Sequence, residues 1–306
     1  MTEFFAAFYE RLFEVMIGLA PSTLAMAAVC TVLYFCFGQA CNPGMPWWRN
    51  RGLITDAWYW LIIPFMAPYI RTVLFVGIAA FTLPFMTQQQ VGDYVANGYG
   101  PVAALGFWGQ IAFYLLVSDF LLYWVHRKFH GVQLWRFHAI HHSAEDVDWT
   151  TAYRFHPVNL CLGPFLVDVL MLYAGVSPKV LLALAPFQTL SALFVHANLK
   201  WTFGPLKYIF ATPVFHRWHH TSPEFGGDKN FAPAFSFWDV LFGTFYMPKG
   251  ELPQNYGVVD RDVPENFWQQ LAYPFIPKEV RERDGWTGNL SASPSALESA
   301  GPPRGS

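Results

Sequence analysis

Eight histidines fall into three short clusters: His126 and His130 form HxxxH, His138, His141 and His142 form HxxHH, and His216, His219 and His220 repeat HxxHH. His156 and His196 stand singly between them, so all ten histidines of the chain lie between His126 and His220. On a helix, residues three and four apart share a face, so each cluster is expected to aim its imidazoles at one point. Neutral imidazole is the commonest protein metal ligand, and eight of them divide into two sets for two ions, with a position left open on each. Zinc favours closed four-coordinate sites or three-ligand hydrolytic ones, and neither uses eight histidines. Iron accepts histidine-rich coordination and performs oxygen chemistry at open positions. The pattern therefore favours iron, with manganese and zinc still compatible on softness and geometry alone.

Other polar residues surround these clusters in the sequence. Asp119, Tyr123, His126 and His130 are spaced by four, three and four and form one stripe on a helix. Asp119 is thereby expected to accept a proton from a ligand histidine and fix its tautomer, the alternative being a buried pair with Arg71. Asp168 lies inside an apolar stretch, where an ionisable group faces the bundle interior and finds a partner. Cys30, Cys36, Cys41 and Cys161 lack paired ligand spacing and read as small buried hydrophobes.

The elements that must position these residues are apolar. Of 306 residues, 54% are hydrophobic, 19% aromatic and 13% charged, whereas soluble chains carry about twice that share of charge. A membrane protein is the class this composition favours. The net charge of −2 excludes the strong basic field of a dedicated nucleic-acid binder, so no nucleic-acid partner is expected. Spans are expected over residues 22–38, 58–86, 102–125, 157–176 and 180–199. The second holds Pro64, Pro68 and Arg71 and reads as a kinked span or a close pair of segments. The last two are joined by Ser177 and Pro178 as a helical hairpin. Residues 1–20 read as an amphipathic helix at the membrane surface, 87–100 as a loop, and 284–306 as a disordered tail behind a single domain, 1–283. Arg49 and Arg51 precede the second span, and Arg127, Lys128, Arg136 and Arg154 follow the third, whereas the loop around Asp93 has no Lys or Arg. That alternation expects the histidine clusters in the cytoplasm. The expected fold is all-α: a multi-pass transmembrane helical bundle with a cytoplasmic, histidine-rich di-metal cap.

The ordered motifs HRKFH, HAIHHS, TAYRFHP, FVHANL, HRWHH, the residue Asn230 and FWDVLFGTF resemble the fatty acid hydroxylase and sterol desaturase superfamily over residues 119–248. HHSAED followed by TTAYR, and DKNF followed by FGTF, look most like its alkylglycerol monooxygenase and bacterial lipid hydroxylase branch. The resemblance implies an integral membrane, non-haem di-iron oxygenase that hydroxylates a lipid C–H bond with O2. Its electrons would come from an external reductant, an electron-transfer protein or reductase, and its setting would be a bacterial inner membrane. By the same resemblance the eight box histidines and His196 are metal ligands. His156 is a ligand or a hydrogen-bonded neighbour of one, and Asn230 is a residue near the metals that could hold a bound water, or else a turn residue. Within the enzyme class, the alternative is a desaturase or hydroxylase of a sterol or carotenoid ring. A metal-transport or metal-sensing protein is disfavoured because the clusters lie beyond the ends of the expected spans.

Overall fold

The computed structural model describes residues 2–37, 45–82, 87–258 and 263–283. These are helical, with no β-strand among them beyond one isolated bridge between Thr221 and Tyr256. The expected tail, 284–306, lies outside the described residues.

Helix α1, Thr2–Phe37, runs unbroken through Pro21, and its stretch Met16–Phe37 is long and apolar enough to cross a membrane. Residues 2–20 are therefore not a helix separate from the first apolar stretch but continuous with it. Helix α2, Leu53–Thr82, passes through Pro64 and Pro68 as one element, and its stretch Leu53–Gly77 is long and apolar enough to cross a membrane. The expected loop 87–100 is instead mostly helix α3, Gln88–Asn97. A capping box starts it: Thr87 Oγ1 accepts from the Gln90 N–H, and Gln90 Oε1 accepts from the Thr87 N–H. Gly98 ends it at φ 78°, where an added Cβ would meet the Gly175 carbonyl at 2.2 Å. A side chain there would prevent the close approach that ties α3 to the 174–177 turn.

After the single turn α4, Gly100–Ala103, helix α5, Gly106–Phe129, is long and apolar enough to cross a membrane and carries His126 in its last turn. Helix α6, Trp135–His142, follows directly. The expected span 157–176 is broken into α7, Pro157–Leu160, a wide turn Cys161–Phe165, and α8, Leu166–Tyr173. Gly163 leaves helical geometry at φ −99°, ψ −111°. It precedes Pro164, whose ring disfavours helical geometry in the residue before it and which has no N–H to donate. The segment Pro157–Tyr173 is shorter than the four spans. Helix α9, Pro178–His196, is the fourth span, capped by Ser177 and ending on a histidine. The short helices α10, Pro213–His219, α11, Phe237–Leu241, α12, Phe267–Ala272, and α13, Lys278–Arg283, complete the cap.

Tyr114, Val167, Met171, Val180 and Leu184 interlock α5, α8 and α9. Val73, Leu170, Leu182 and Leu190 are exposed on the outside of the same bundle, an apolar surface suited to lipid. Cys36 is exposed on α1, and Cys30 and Cys161 are half-buried, which corrects the expectation that the cysteines are buried; Cys41 is outside the described residues. Arg71 pairs with Asp168 at 3.3 Å, and Asp168 also accepts from the Tyr114 hydroxyl at 2.5 Å. Arg71 is therefore the partner of Asp168 and not of Asp119.

Candidate metal centre

Nine histidines converge into two adjoining groups. His126, His130, His138, His142 and His219 form one, and His141, His196, His216 and His220 the other; within each, the candidate ligand atoms lie within 4.8 Å of one another. The expectation that each cluster aims at a single point is corrected, because each HxxHH motif is divided. In α6 the i and i+4 residues, His138 and His142, enter the five-histidine group and the i+3 residue, His141, the other. In α10 and its terminal residue the assignment is reversed. His216 and His220 enter the four-histidine group, and His219 the five. Positions i and i+4 lie about 40° apart around a helix, while i+3 is displaced to the opposite side of i, so one turn can serve two centres. His126 and His130 come from the end of α5, and His196 from the end of α9.

The outer ring nitrogens fix the tautomers. Carbonyl oxygens only accept, so the Nδ1 atoms of His126 (to Phe231, 2.6 Å), His219 (to Lys229, 2.7 Å), His141 (to Arg154, 3.2 Å) and His196 (to Ala192, 2.7 Å) carry protons. His138 Nδ1 donates to Asn159 Oδ1 at 2.7 Å, and His130 Nδ1 to Asp228 at 2.9 Å. Their Nε2 atoms then present lone pairs inward. His126 Nε2 stands 2.9 Å from His138 Nε2, and His141 Nε2 stands 3.2 Å from His196 Nε2. His196 and His216 follow at 3.1 Å, and His216 and His220 at 3.2 Å.

Two facing lone pairs cannot hydrogen-bond, and they repel unless a cation lies between them. Two imidazole nitrogens each about 2.1 Å from one ion are about 3.0 to 3.4 Å apart for angles at the ion between about 90° and 109°, and the separations found lie near the lower end of that range. His130 Nε2, His142 Nε2 and His219 Nε2 are buried with no hydrogen-bond partner among the described residues, as ligand atoms awaiting an ion would be. Burial, followed by the mutual repulsion of their charged forms, holds His138, His141, His142, His216, His219 and His220 well below the usual histidine pKa. The rings are thus neutral and ligand-competent. The donor set fits two metal ions.

Three residues singled out from the sequence take other positions. Asp119 touches no histidine: its carboxylate accepts from the Ala234 and Phe235 N–H groups at 2.9 and 3.0 Å. Asn230, at φ 59°, spends its amide on the backbone, donating to the Phe215 and Tyr246 carbonyls and accepting from the Tyr246 N–H. His156 lies outside both groups. Its Nδ1 accepts from the Val158 N–H and caps α7, while Nε2 donates to the Leu271 carbonyl at 3.2 Å.

Sequence reasoning missed Asn159, Asp228 and the Arg154 carbonyl as partners of the histidines. Arg154 is itself held by Asp56 of α2, whose carboxylate receives its Nε at 2.7 Å. Asn159, three residues after His156, carries no local mark of its role, and Asp228 reaches His130 across 98 residues of sequence.

Residues 111–244 match the model of the fatty acid hydroxylase family. The chain is 33% identical over 174 residues to the ornithine lipid hydroxylase OlsE of Rhizobium tropici, covering 56% of this chain and 52% of that protein. It is 32% identical to the alkylglycerol monooxygenase of Caenorhabditis elegans, over 53% of this chain and 32% of the relative. With the sphingolipid C4-hydroxylase sur2 of Schizosaccharomyces pombe it shares 33% identity, over 47% of this chain and 50% of the relative. The chain thus spans about half or less of the length of these curated relatives. No solved structure matches it. All nine clustered histidines fall inside the segment, residues 111–244, that matches the fatty acid hydroxylase family.

Proposed function

We propose that the chain is a membrane-bound lipid hydroxylase that uses O2 and electrons from a separate reductase or electron-transfer protein. Two iron ions would be held by His126, His130, His138, His142 and His219 on one side and by His141, His196, His216 and His220 on the other. The observation that carries this reading is the pair of inward lone-pair contacts whose tautomers are fixed, His126 Nε2 to His138 Nε2 at 2.9 Å and His141 Nε2 to His196 Nε2 at 3.2 Å. The relatives' names, an ornithine lipid hydroxylase, an alkylglycerol monooxygenase and a sphingolipid C4-hydroxylase, support a lipid as substrate and hydroxylation as the outcome. The balanced reaction is R–H + O2 + 2 e⁻ + 2 H⁺ → R–OH + H2O. Bound iron would supply the activation of O2 and the oxidation of the C–H bond.

The chain's own residues bind, orient and exclude water. Helix α5 runs from an apolar span straight into His126, so a lipid chain lying along the bundle is directed at the histidines. The carbonyls of Phe231, Lys229, Arg154 and Ala192 hold four rings by Nδ1, leaving Nε2 for the metal. Burial of both HxxHH motifs shields the site from solvent. The basic residues flanking the second and third spans support a cytoplasmic cap, and the resemblance to the lipid hydroxylase of Rhizobium tropici supports a bacterial inner membrane.

The test is protein purified anaerobically in detergent, reconstituted with iron, and supplied with membrane lipids, O2 and a reductant. A product heavier by one oxygen atom is expected, and comparative lipidomics of deletion and complemented strains identifies the lipid. Full O2-dependent turnover by an iron-free, zinc-loaded preparation would sink the reading.

A further inference from the structure

The two histidine groups are supported unequally. In the five-histidine group, three rings lean on one four-residue segment: His130 on the Asp228 carboxylate, His219 on the Lys229 carbonyl, and His126 on the Phe231 carbonyl. In the other group, His141 uses Arg154, His196 uses its own helix, and the Nδ1 atoms of His216 and His220 have no partner among the described residues. Segment 228–231 therefore serves one centre alone.

Three buried side chains hold that segment and the stretch directly after it, none of them touching a histidine. Asn230 sits between the two carbonyls in left-handed geometry, φ 59°. Its amide ties it to Phe215 and Tyr246, and its own N–H to the Thr244 carbonyl at 2.9 Å. Asparagine is among the few residues other than glycine that tolerate this geometry. Asp239 accepts from the N–H groups of Phe231 and Ala232, both at 2.8 Å, and from the Thr244 hydroxyl at 2.6 Å. Asp119 of α5 takes the next two N–H groups, those of Ala234 and Phe235.

We propose that Asn230, Asp239 and Asp119 are positioning residues that act through segment 228–231 to set the ring orientations, and hence the metal affinity, of the five-histidine centre alone. This rests on the reading of the nine histidines as ligands of two ions. Each ring that loses its acceptor is free to rotate or to change tautomer, and losses of this kind typically weaken metal binding by about 10- to 100-fold. The four-histidine centre shares none of these acceptors and keeps its ion.

The test uses the full chain in detergent, loaded with Co(II) and titrated with a chelator, reading metal per chain and the visible cobalt spectrum. His219→Ala and His220→Ala provide spectra with one centre or the other damaged. Asn230→Ala is expected to release one of two ions at about 10- to 100-fold lower chelator concentration, leaving a spectrum like that of His219→Ala and unlike that of His220→Ala. Because Asn230→Ala could hinder folding, Asp228→Ala serves as a second variant: its carboxylate is half-exposed, orients His130 directly, and should weaken the same ion. Retention of both ions at wild-type affinity in both variants overturns the proposal. So does equal weakening of the two ions, or a wild-type protein that takes up fewer than two. Cobalt binding is scored without turnover. Failure of the lipid hydroxylase reading would appear separately, as an iron-loaded wild type that makes no hydroxylated lipid.

Discussion

His142 and His220 belong to different histidine groups, yet their rings stack with centroids 4.6 Å apart and planes 27° from parallel. This is closer than the approach of His138 to His141 at 5.3 Å or of His216 to His219 at 5.4 Å. The two centres therefore meet through this pair. His142→Ala and His220→Ala are expected to be non-additive, with a coupling of about 0.5 to 3 kcal/mol in metal affinity. Metal titration of both single variants and the double variant measures it, and strict additivity contradicts the contact's role.

His219→Ala removes one inward nitrogen from the five-histidine group, and no neighbouring side chain can replace it. The variant should insert normally, because residue 219 lies outside the spans, but lose that group's ion and with it product formation. Membrane level by blot, bound iron and product are read together. A well-inserted variant with wild-type iron and activity would contradict the ligand assignment.

For His156→Ala the outcome should differ in kind. Its ring caps α7 and reaches the Leu271 carbonyl, so its removal is expected to cost about 1 kcal/mol of stability, as losses of N-caps do, while metal content stays at the wild-type level. Thermal denaturation and metal analysis separate the two effects. Complete loss of iron would make His156 a ligand after all.

Asp56→Ala leaves the buried Arg154 guanidinium without its carboxylate, a change that typically costs about 3 to 5 kcal/mol. Arg154 also presents the carbonyl that holds His141, so the four-histidine ion should be released more readily than in wild type. An unchanged melting temperature in detergent would show that the pair contributes little.

Topology is tested by single cysteines. A cysteine replacing Asp93, which is exposed on α3, should react with an impermeant reagent from outside intact cells, and one replacing Ser222 should not. The reverse pattern refutes the cytoplasmic placement of the histidines.

The local part of this architecture was legible in the sequence and the long-range part was not. Histidine spacing told which residues are clustered, because three- and four-residue steps are a property of one helix turn. It could not tell that His141 parts from His138 and His142, since that depends on where α10 packs against α6. Asp119 was rightly placed on a stripe with His126, but its carboxylate is claimed by the backbone at Ala234 and Phe235, more than a hundred residues away. Among the spans, the break at Gly163 and Pro164 between α7 and α8 went unread in the apolar stretch 157–176, whereas Pro64 and Pro68, read as a kink or an interruption, sit in a helix that continues through both. The Thr87–Gln90 capping box was a start signal for α3 that composition alone, with its Gly and Asn residues, had obscured.

The reversed division of the two HxxHH motifs would make each bound ion a cross-link. Neither α6 nor α10 holds a complete centre, and each centre draws on both, so an ion bound at either one staples residue 138 or 141 to a residue near 219 across some eighty positions of chain. Cross-links that close long loops act most strongly on the unfolded ensemble. Metal uptake would then follow, and lock, the docking of the C-terminal half of the cap onto the N-terminal half. Chains halted before α10 would carry five of the nine histidine ligands from α5 and α6, and a sixth from α9, yet complete neither centre.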